Sequence, residues 1–413
     1  MKNRICALIV VITLLLTGCS GKAPKTPAVD ITEGLVYDET DNTWSTTDEE
    51  WKYLVYRMKQ DNERCKDMKG VRILATDDKV IFISGLSAVD KDGKKADAYT
   101  TYEIGSVTKM FTATCILQLA ERGKLSISDT LDKYFPEFEK GKEITIFDVL
   151  HMQAGLEREF FPDSAFYKPD GSVDEDFTRK YYTDGFTDKE LLKSLFSLDL
   201  LYKPGTNCRY SNAGYILLAM IIEKVSKMSY SKYVQKNIFD VCGMTHSSSM
   251  KKGDLTSVPE EDKTFTEFKI GELFGSLYFQ DPKTGRGAGD IHSCAADMIL
   301  FDRALIGGKL INQDSLKIMF DLQIKSINEY YDKKMDYGCG WTTHPVVPFA
   351  GGVDVYSHSG KTMSYSTDSL YCKSEHHGNV YLIQFCSAVT DKTSEYMNIC
   401  DKSIIDALSV KYW

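Results

Sequence analysis

A mixed α and β fold, built as two fused subdomains or one large α/β unit, is what this chain predicts. Of its 413 residues about 365 follow a polar N-terminal stretch, which is more than one ordinary core takes up. Segments rich in β-branched and aromatic residues alternate with segments of helical period along that length. Beyond the first 47 residues no internal repeat or low-complexity block interrupts the pattern. The formal net charge of -9 argues against a nucleic-acid partner.

The first 19 residues read as an export signal. Lys2 and Arg4 give a charged start, and residues 5–16 form an apolar run too short to span a bilayer comfortably. The run closes on Leu16-Thr17-Gly18-Cys19, which resembles the lipobox of bacterial lipoproteins. That resemblance implies a diacylated Cys19 at the new N-terminus; a plain secretory peptide with an incidental cysteine is the blander alternative. Residues 20–47 are polar, with Pro24 and Pro27, and are expected to form a flexible tether. No later stretch is apolar enough for a transmembrane helix, so the protein is expected to be exported and held on the outer side of the membrane by lipid alone.

Residues 48–68 carry Trp51, Leu54, Val55 and Met58 on one helical face. Residues 71–75 and 79–84 read as two strands joined at Thr76-Asp77-Asp78, and Lys91-Asp92-Gly93 as a further turn. Residues 101–104 are β-like, and Met110, Phe111, Ala113, Thr114, Ile116, Leu117 and Leu119 then keep helical spacing up to Gly123. A helix-like piece opens at Ser128, and residues 144–155 read as a helix with His151 near its end as a structural hydrogen-bonder. Residues 157–189 are aromatic, acidic and turn-rich. So long an irregular segment suggests an ordered cover over a groove, with padding of a neighbouring lobe as the alternative. Eleven cysteines less Cys6 and Cys19 leave nine, an odd number without a Cys-x-x-Cys pair, and buried free thiols are expected rather than a disulfide or zinc framework.

Three short stretches carry candidate chemistry. Ser106 stands where a loop enters a helix, and Lys109 lies three residues on, on the same face. Ser106 is either a helix cap or a nucleophile whose proton passes to that lysine. Ser-x-x-Lys recurs at Ser229, Ser248 and Ser249, so spacing alone does not decide. Tyr210 and Asn212 follow the Lys203-Pro204-Gly205-Thr206 turn, at the entrance of an apolar helix over residues 216–225. Packing and capping would explain them, and so would a phenolic proton relay and an amide that positions Lys109 and substrate. Residues 353–356 look like a strand leading into His358-Ser359-Gly360-Lys361, with Gly360 leaving room for a substrate along the strand edge. A second His-x-Gly at His376 reads as a hairpin turn.

In this order and spacing, Ser106-Val107-Thr108-Lys109, Tyr210-Ser211-Asn212 and His358-Ser359-Gly360 resemble the serine hydrolase family of class C β-lactamases and penicillin-binding D,D-peptidases. The stretches around residues 149–156, 203–215, 287–290 and 337–341 resemble that family too. The resemblance implies an α+β fold over residues 48–413: an antiparallel sheet flanked by helices, an all-helical lobe to one side, and Ser106 in the cleft between them. It implies acyl transfer through Ser106, with Lys109 and Tyr210 relaying the proton, Asn212 and His358 at the substrate, and backbone N–H groups of Ser106 and Lys361 on the oxyanion. Such a mechanism needs no metal and no organic cofactor. Two departures stand out. His358 replaces the lysine usual in β-lactamases of this class, and Lys361 replaces a usual glycine. The implied substrate is a small molecule or peptide carrying an amide or ester, with the cell wall as one source. A catalytically silent binding protein, or an acyltransferase using the same acyl-enzyme, are the alternatives.

Overall fold

The computed structural model describes residues 30–86, 93–181, 185–249, 285–321, 325–328, 333–343, 349–362, 365–387 and 391–411. Cys19, the expected export signal, Lys91-Asp92 and the first part of the expected tether lie outside the described residues. From Asp30 onward the chain departs from a free tether. Strands β1 (Val36–Asp38) and β2 (Thr43–Ser45) pair with each other, and β2 extends the main sheet. The reason is local: Tyr37 and Trp44 face each other across the strands at 4.8 Å, Thr43 is buried, and the Asn42 amide donates to the Gly85 carbonyl at 2.8 Å.

Helix α1 (Lys52–Arg64) follows a short turn of 3-10 helix and buries Leu54 and Met58. Strands β3 (Gly70–Thr76) and β4 (Val80–Leu86) form the expected hairpin. Further along come β5 (Thr101–Glu103), α2 (Thr108–Glu121), α3 (Ile146–Leu150), α4 (Glu175–Arg179), α5 (Asp188–Ser197), α6 (Asn212–Ser226) and α7 (Tyr230–Val234). Strands β6 (Ser248–Ser249) and β7 (Ile291–Cys294) lead to α8 (Ala295–Ile306) and α9 (Gln313–Met319). The chain closes with β8 (Lys325–Asn328), β9 (Lys333–Asp336), β10 (Thr342–Thr343), β11 (Phe349–Ala350), β12 (Val353–Lys361), β13 (Ser366–Ser374), β14 (Gly378–Cys386) and α10 (Asp391–Leu408). Among the described residues no helix is long and apolar enough to cross a membrane.

The main sheet runs β1-β2-β4-β3-β14-β13-β12-β10, every neighbouring pair antiparallel, with β11 also on β12. The first strands of the chain thus join the last ones at β3 and β14. Strand alternation divides two cores. Val71, Ile73, Ala75, Tyr381, Ile383 and Phe385 face α8 and the helical lobe, whereas Leu74, Phe82, Val380 and Leu382 face α1 and α10. The fold is α+β, with its helical lobe on one side of the sheet.

The expected helix over residues 144–155 is shorter. It ends at Leu150, because Met152 takes a left-handed backbone (φ 58°) and Gly155 another (φ 71°). His151 is buried there, bonded through Nδ1 to the Phe147 carbonyl. In the 157–189 segment the rings turn on one another: Phe161 lies 4.5 Å from Phe186 and 5.1 Å from Phe177, and Phe166 lies 5.0 Å from Tyr181. Phe160, Tyr181 and Phe186 are buried in the main core, so this is a small aromatic core of the lobe; Tyr182 lies outside the described residues. The nine cysteines of the described part are all free thiols.

Candidate active site

Ser106 sits in a turn of 3-10 helix, Gly105–Val107, that runs directly into α2. Helix α2 is buried along nearly its whole length, which explains why its apolar residues are not confined to one stripe. Glycines let the turn lie against the sheet. Gly105 has a left-handed φ of 51°, and a Cβ there would meet the Lys361 backbone nitrogen at 2.9 Å. On β12, a Cβ at Gly360 would meet the Ile104 carbonyl oxygen at 2.0 Å and the Ser106 nitrogen at 3.1 Å. Gly360 was expected to clear space for substrate; the space it leaves is filled by the backbone of the Ser106 turn.

Lys109 is fully buried, and its Nζ has three oxygen neighbours: Ser106 Oγ at 3.2 Å, Asn212 Oδ1 at 2.8 Å and the Ala288 carbonyl at 2.8 Å. Burial pushes this amine well below its ordinary value; the Glu159 carboxylate opposes that shift and the Arg158 guanidinium adds to it. A neutral amine has two N–H donors, which match Asn212 and Ala288, and one lone pair, which faces the Ser106 hydroxyl. The arrangement is therefore able to accept a proton from Ser106. Ala288 is held by its own loop, where Asp290 accepts from the Gly287 N–H at 2.7 Å and the Ser249 hydroxyl at 2.6 Å.

Tyr210 arrives on the loop before α6, and Asn212 is the first residue of that helix. Ser211 is the cap of that helix, its hydroxyl accepting from the Gly214 N–H, so Asn212 is left free of capping. The Tyr210 ring lies under the Lys109 amine, 4.7 Å from centroid to Nζ, and among the described residues its buried hydroxyl has no hydrogen bond of good geometry. Burial pushes the phenol well up, and the nearby Ser106 hydroxyl offsets this in part. Arg158 and Glu159 complete this wall without any signal in the sequence. Asn212 Nδ2 donates to Glu159 Oε1 at 2.6 Å, and the Arg158 guanidinium stands 5.4 Å from the Tyr210 ring centroid.

His358 lies within β12 rather than after it, and is buried. Its Nδ1 donates to the Ser359 carbonyl at 2.8 Å, which leaves Nε2 to accept from the Tyr337 hydroxyl at 3.0 Å. Burial, then the Lys109 charge, push its pKa down to about 3, so the ring is neutral. Lys361 is exposed at the end of the strand. Among the described residues no strand pairs with the outer edge of 358–361, since β10 and β11 stop opposite Ser357 and Asp354. Of the other Ser-x-x-Lys serines, Ser229 caps α7 and Ser249 bonds Asp290, while Ser248 lies on β6.

An antiparallel sheet with a helical lobe and a Ser-Lys-Tyr cluster at their junction matches a known class of protein. The family model described as Beta-lactamase matches residues 63–372, and the chain belongs to that family. The protein PbpX of Bacillus subtilis is 31% identical over 277 residues, covering 64% of this chain and 61% of PbpX, so this chain spans about three fifths of that curated relative. A D-amino acid amidase from Ochrobactrum anthropi shares the fold with a TM-score of 0.66 at 19% identity, covering 86% of this chain and 97% of its own. A D-stereospecific amidohydrolase from Streptomyces does so with a TM-score of 0.62 at 22% identity, covering 83% and 97%.

Proposed function

We propose that this protein is an exported, lipid-anchored serine hydrolase that cleaves an amide or ester through an acyl-enzyme on Ser106. The observation that carries the reading is the buried, dehydrated Lys109 amine 3.2 Å from Ser106 Oγ. In the first step the Ser106 oxygen bonds to the substrate carbonyl carbon while its proton moves to Lys109. Backbone N–H groups of Ser106 and Lys361 stabilise the oxyanion, and Asn212 and the His358–Gly360 edge hold the acyl donor. Tyr210, kept as a phenol by burial, donates a proton to the leaving amine or alcohol and recovers it from Lys109. Water then attacks the ester carbon and restores Ser106. The substrate is a small molecule or peptide; because structural neighbours of this fold are a D-amino acid amidase and a D-stereospecific amidohydrolase, D-amino acid amides lead the candidate list. The neutral His358 supplies no cation to an anionic lactam and weighs against efficient penicillin hydrolysis.

Labelling the full-length protein with a fluorophosphonate and mapping the modified peptide tests the nucleophile. The expected result is one adduct on Ser106, lost in Ser106→Ala; an adduct elsewhere, or none, overturns the reading. A panel of D-amino acid amides, acyl esters and lactams then ranks the donors. Cys19→Ala should lose incorporation of a clickable fatty acid, and equal incorporation in the variant would reject the lipid anchor.

A further inference from the structure

The wall beside Lys109 contains two opposite charges that the scheme above does not use. Glu159 Oε1 accepts from Asn212 Nδ2 at 2.6 Å, and Asn212 Oδ1 accepts from Lys109 Nζ at 2.8 Å. A carboxylate only accepts, so it fixes which end of the Asn212 amide faces it and which end faces Lys109. The Arg158 guanidinium lies beside Glu159, Nε to Oε1 3.5 Å, and over the ring of Tyr210. The backbone ties the pair in place as well, since the Arg158 carbonyl accepts from the N–H groups of Asn212 and Ala213 at 2.8 and 3.0 Å.

Resting on the Ser106 hydrolase reading, we propose that Glu159 and Arg158 are positioning residues: Glu159 locks the Asn212 amide against Lys109, and the two opposite charges together set the pH at which Ser106 becomes reactive. Among the other described groups around Lys109, Asp290 is the one that can take up a charge within the neutral range, its carboxyl pushed up to about 6 by burial, and both its oxygens are turned to Gly287 and Ser249 rather than to Lys109. From the 3-10 turn ahead of α2 comes the Ser106 hydroxyl, from the loop before α6 the Tyr210 phenol, and from α6 the Asn212 amide and the Tyr215 ring at 5.8 Å. The 287–290 loop presents the Ala288 carbonyl, with Asp290 turned to Gly287 and Ser249, and β12 presents the neutral His358. Among the described residues the formal charges that act on Lys109 are those of Glu159, which favours its protonated form, and Arg158, which disfavours it.

The sign of each effect follows. Lys109 accepts the Ser106 proton only as the neutral amine, so reactivity rises with pH as Lys109 loses its own proton. Removing the Glu159 charge lets that proton leave at lower pH, and removing the Arg158 charge holds it to higher pH. The role is one of charge and orientation, and the two parts separate by substitution. Glu159→Gln keeps an oxygen for Asn212 Nδ2 but loses the charge, whereas Glu159→Leu loses both.

The test is the rate of Ser106 phosphonylation by a fluorophosphonate, measured on the full chain from about pH 5 to pH 9. In that reaction the Ser106 oxygen bonds to phosphorus, fluoride leaves, and the hydroxyl proton passes to Lys109. The midpoint of the acid limb should move to lower pH in Glu159→Gln and to higher pH in Arg158→Gln, each by about half a pH unit or more. Glu159→Leu should lower the high-pH plateau about tenfold or more, as Asn212 is no longer held. A residue of merely structural importance would not move two midpoints in opposite directions. Unchanged midpoints, or two that move the same way, overturn the proposal while leaving Ser106 as nucleophile. A wild-type protein that takes no label removes the hydrolase reading itself, and this inference with it.

Discussion

Gly360 is pressed onto the carbonyl of Ile104, so closely that a methyl group on its α-carbon would lie 2.0 Å from that oxygen. The contact is backbone against backbone, with no flexible side chain to give way. It fixes the height of the Ser106 turn above β12, and with it the distance between the serine and the Lys361 N–H.

Gly360→Ala is therefore expected to lift the turn from the strand. Overpacking of this kind costs about 1–3 kcal/mol, and a displacement near 1 Å at a reacting oxygen costs roughly a hundredfold in rate. Thermal unfolding and fluorophosphonate labelling together measure both effects. An alanine variant that labels at the wild-type rate would show that the turn is not seated by this contact.

Lys109→Met separates stability from activity. The amine is fully buried and burial pushes its pKa well below the ordinary value, so the fold gains little from its polarity beyond the three contacts it makes. Methionine fills similar space without a polar atom to desolvate, though it leaves Asn212 Oδ1 and the Ala288 carbonyl without that donor. The expected outcome is a melting temperature within a few degrees of wild type, and labelling of Ser106 reduced by at least about a thousandfold. Labelling that survives the change would place the base elsewhere.

The aromatic segment is expected to act as a core rather than as a gate. Phe161 touches Phe177, Tyr181 and Phe186, and those rings turn inward. Phe161→Ala should cost about 2–4 kcal/mol of stability and lower turnover of large and small substrates in parallel. A selective rise in KM for bulky acyl donors, with an unchanged melting temperature, would restore the role of cover.

Asp401 gives the stability of the protein a pH dependence. It is buried between α10 and the sheet, where its Oδ1 accepts from Gln384 Nε2 at 2.6 Å, and burial pushes its pKa up to about 7. An acid whose folded pKa is raised stabilises the fold while protonated. Its contribution is fully present below the unfolded value near 4 and is lost as pH rises through about 7. Asp401→Asn, which cannot ionise, should flatten the decline in unfolding free energy between about pH 4 and pH 7, by about 2–4 kcal/mol across that window. Parallel curves for the two proteins in urea would remove Asp401 as the cause.

The chemistry-bearing residues were legible in the sequence because each sits in a short motif whose parts are adjacent in the chain. Ser106 and Lys109 are one helical turn apart, and such a spacing puts both on one face whatever packs around them. Local turn chemistry was equally readable in the β3–β4 and β13–β14 hairpins. Local patterns were weaker where one residue controls an element: Met152, in a left-handed conformation, shortens α3, and the Tyr37–Trp44 contact draws a polar stretch into the sheet.

What surrounds Lys109 was decided by tertiary structure alone. Asn212, Ala288 and Glu159 reach it or its partner across separations of 103, 179 and 53 residues, and no periodicity records such distances. The same holds for Gly360, whose glycine reads from the sequence as room for a ligand and is, in the fold, room for the Ile104 carbonyl. Sequence by itself determined which groups could react, because covalent spacing along one turn is local. Packing determined their protonation and their neighbours, because burial and charge at Lys109 are summed over every element that closes around it.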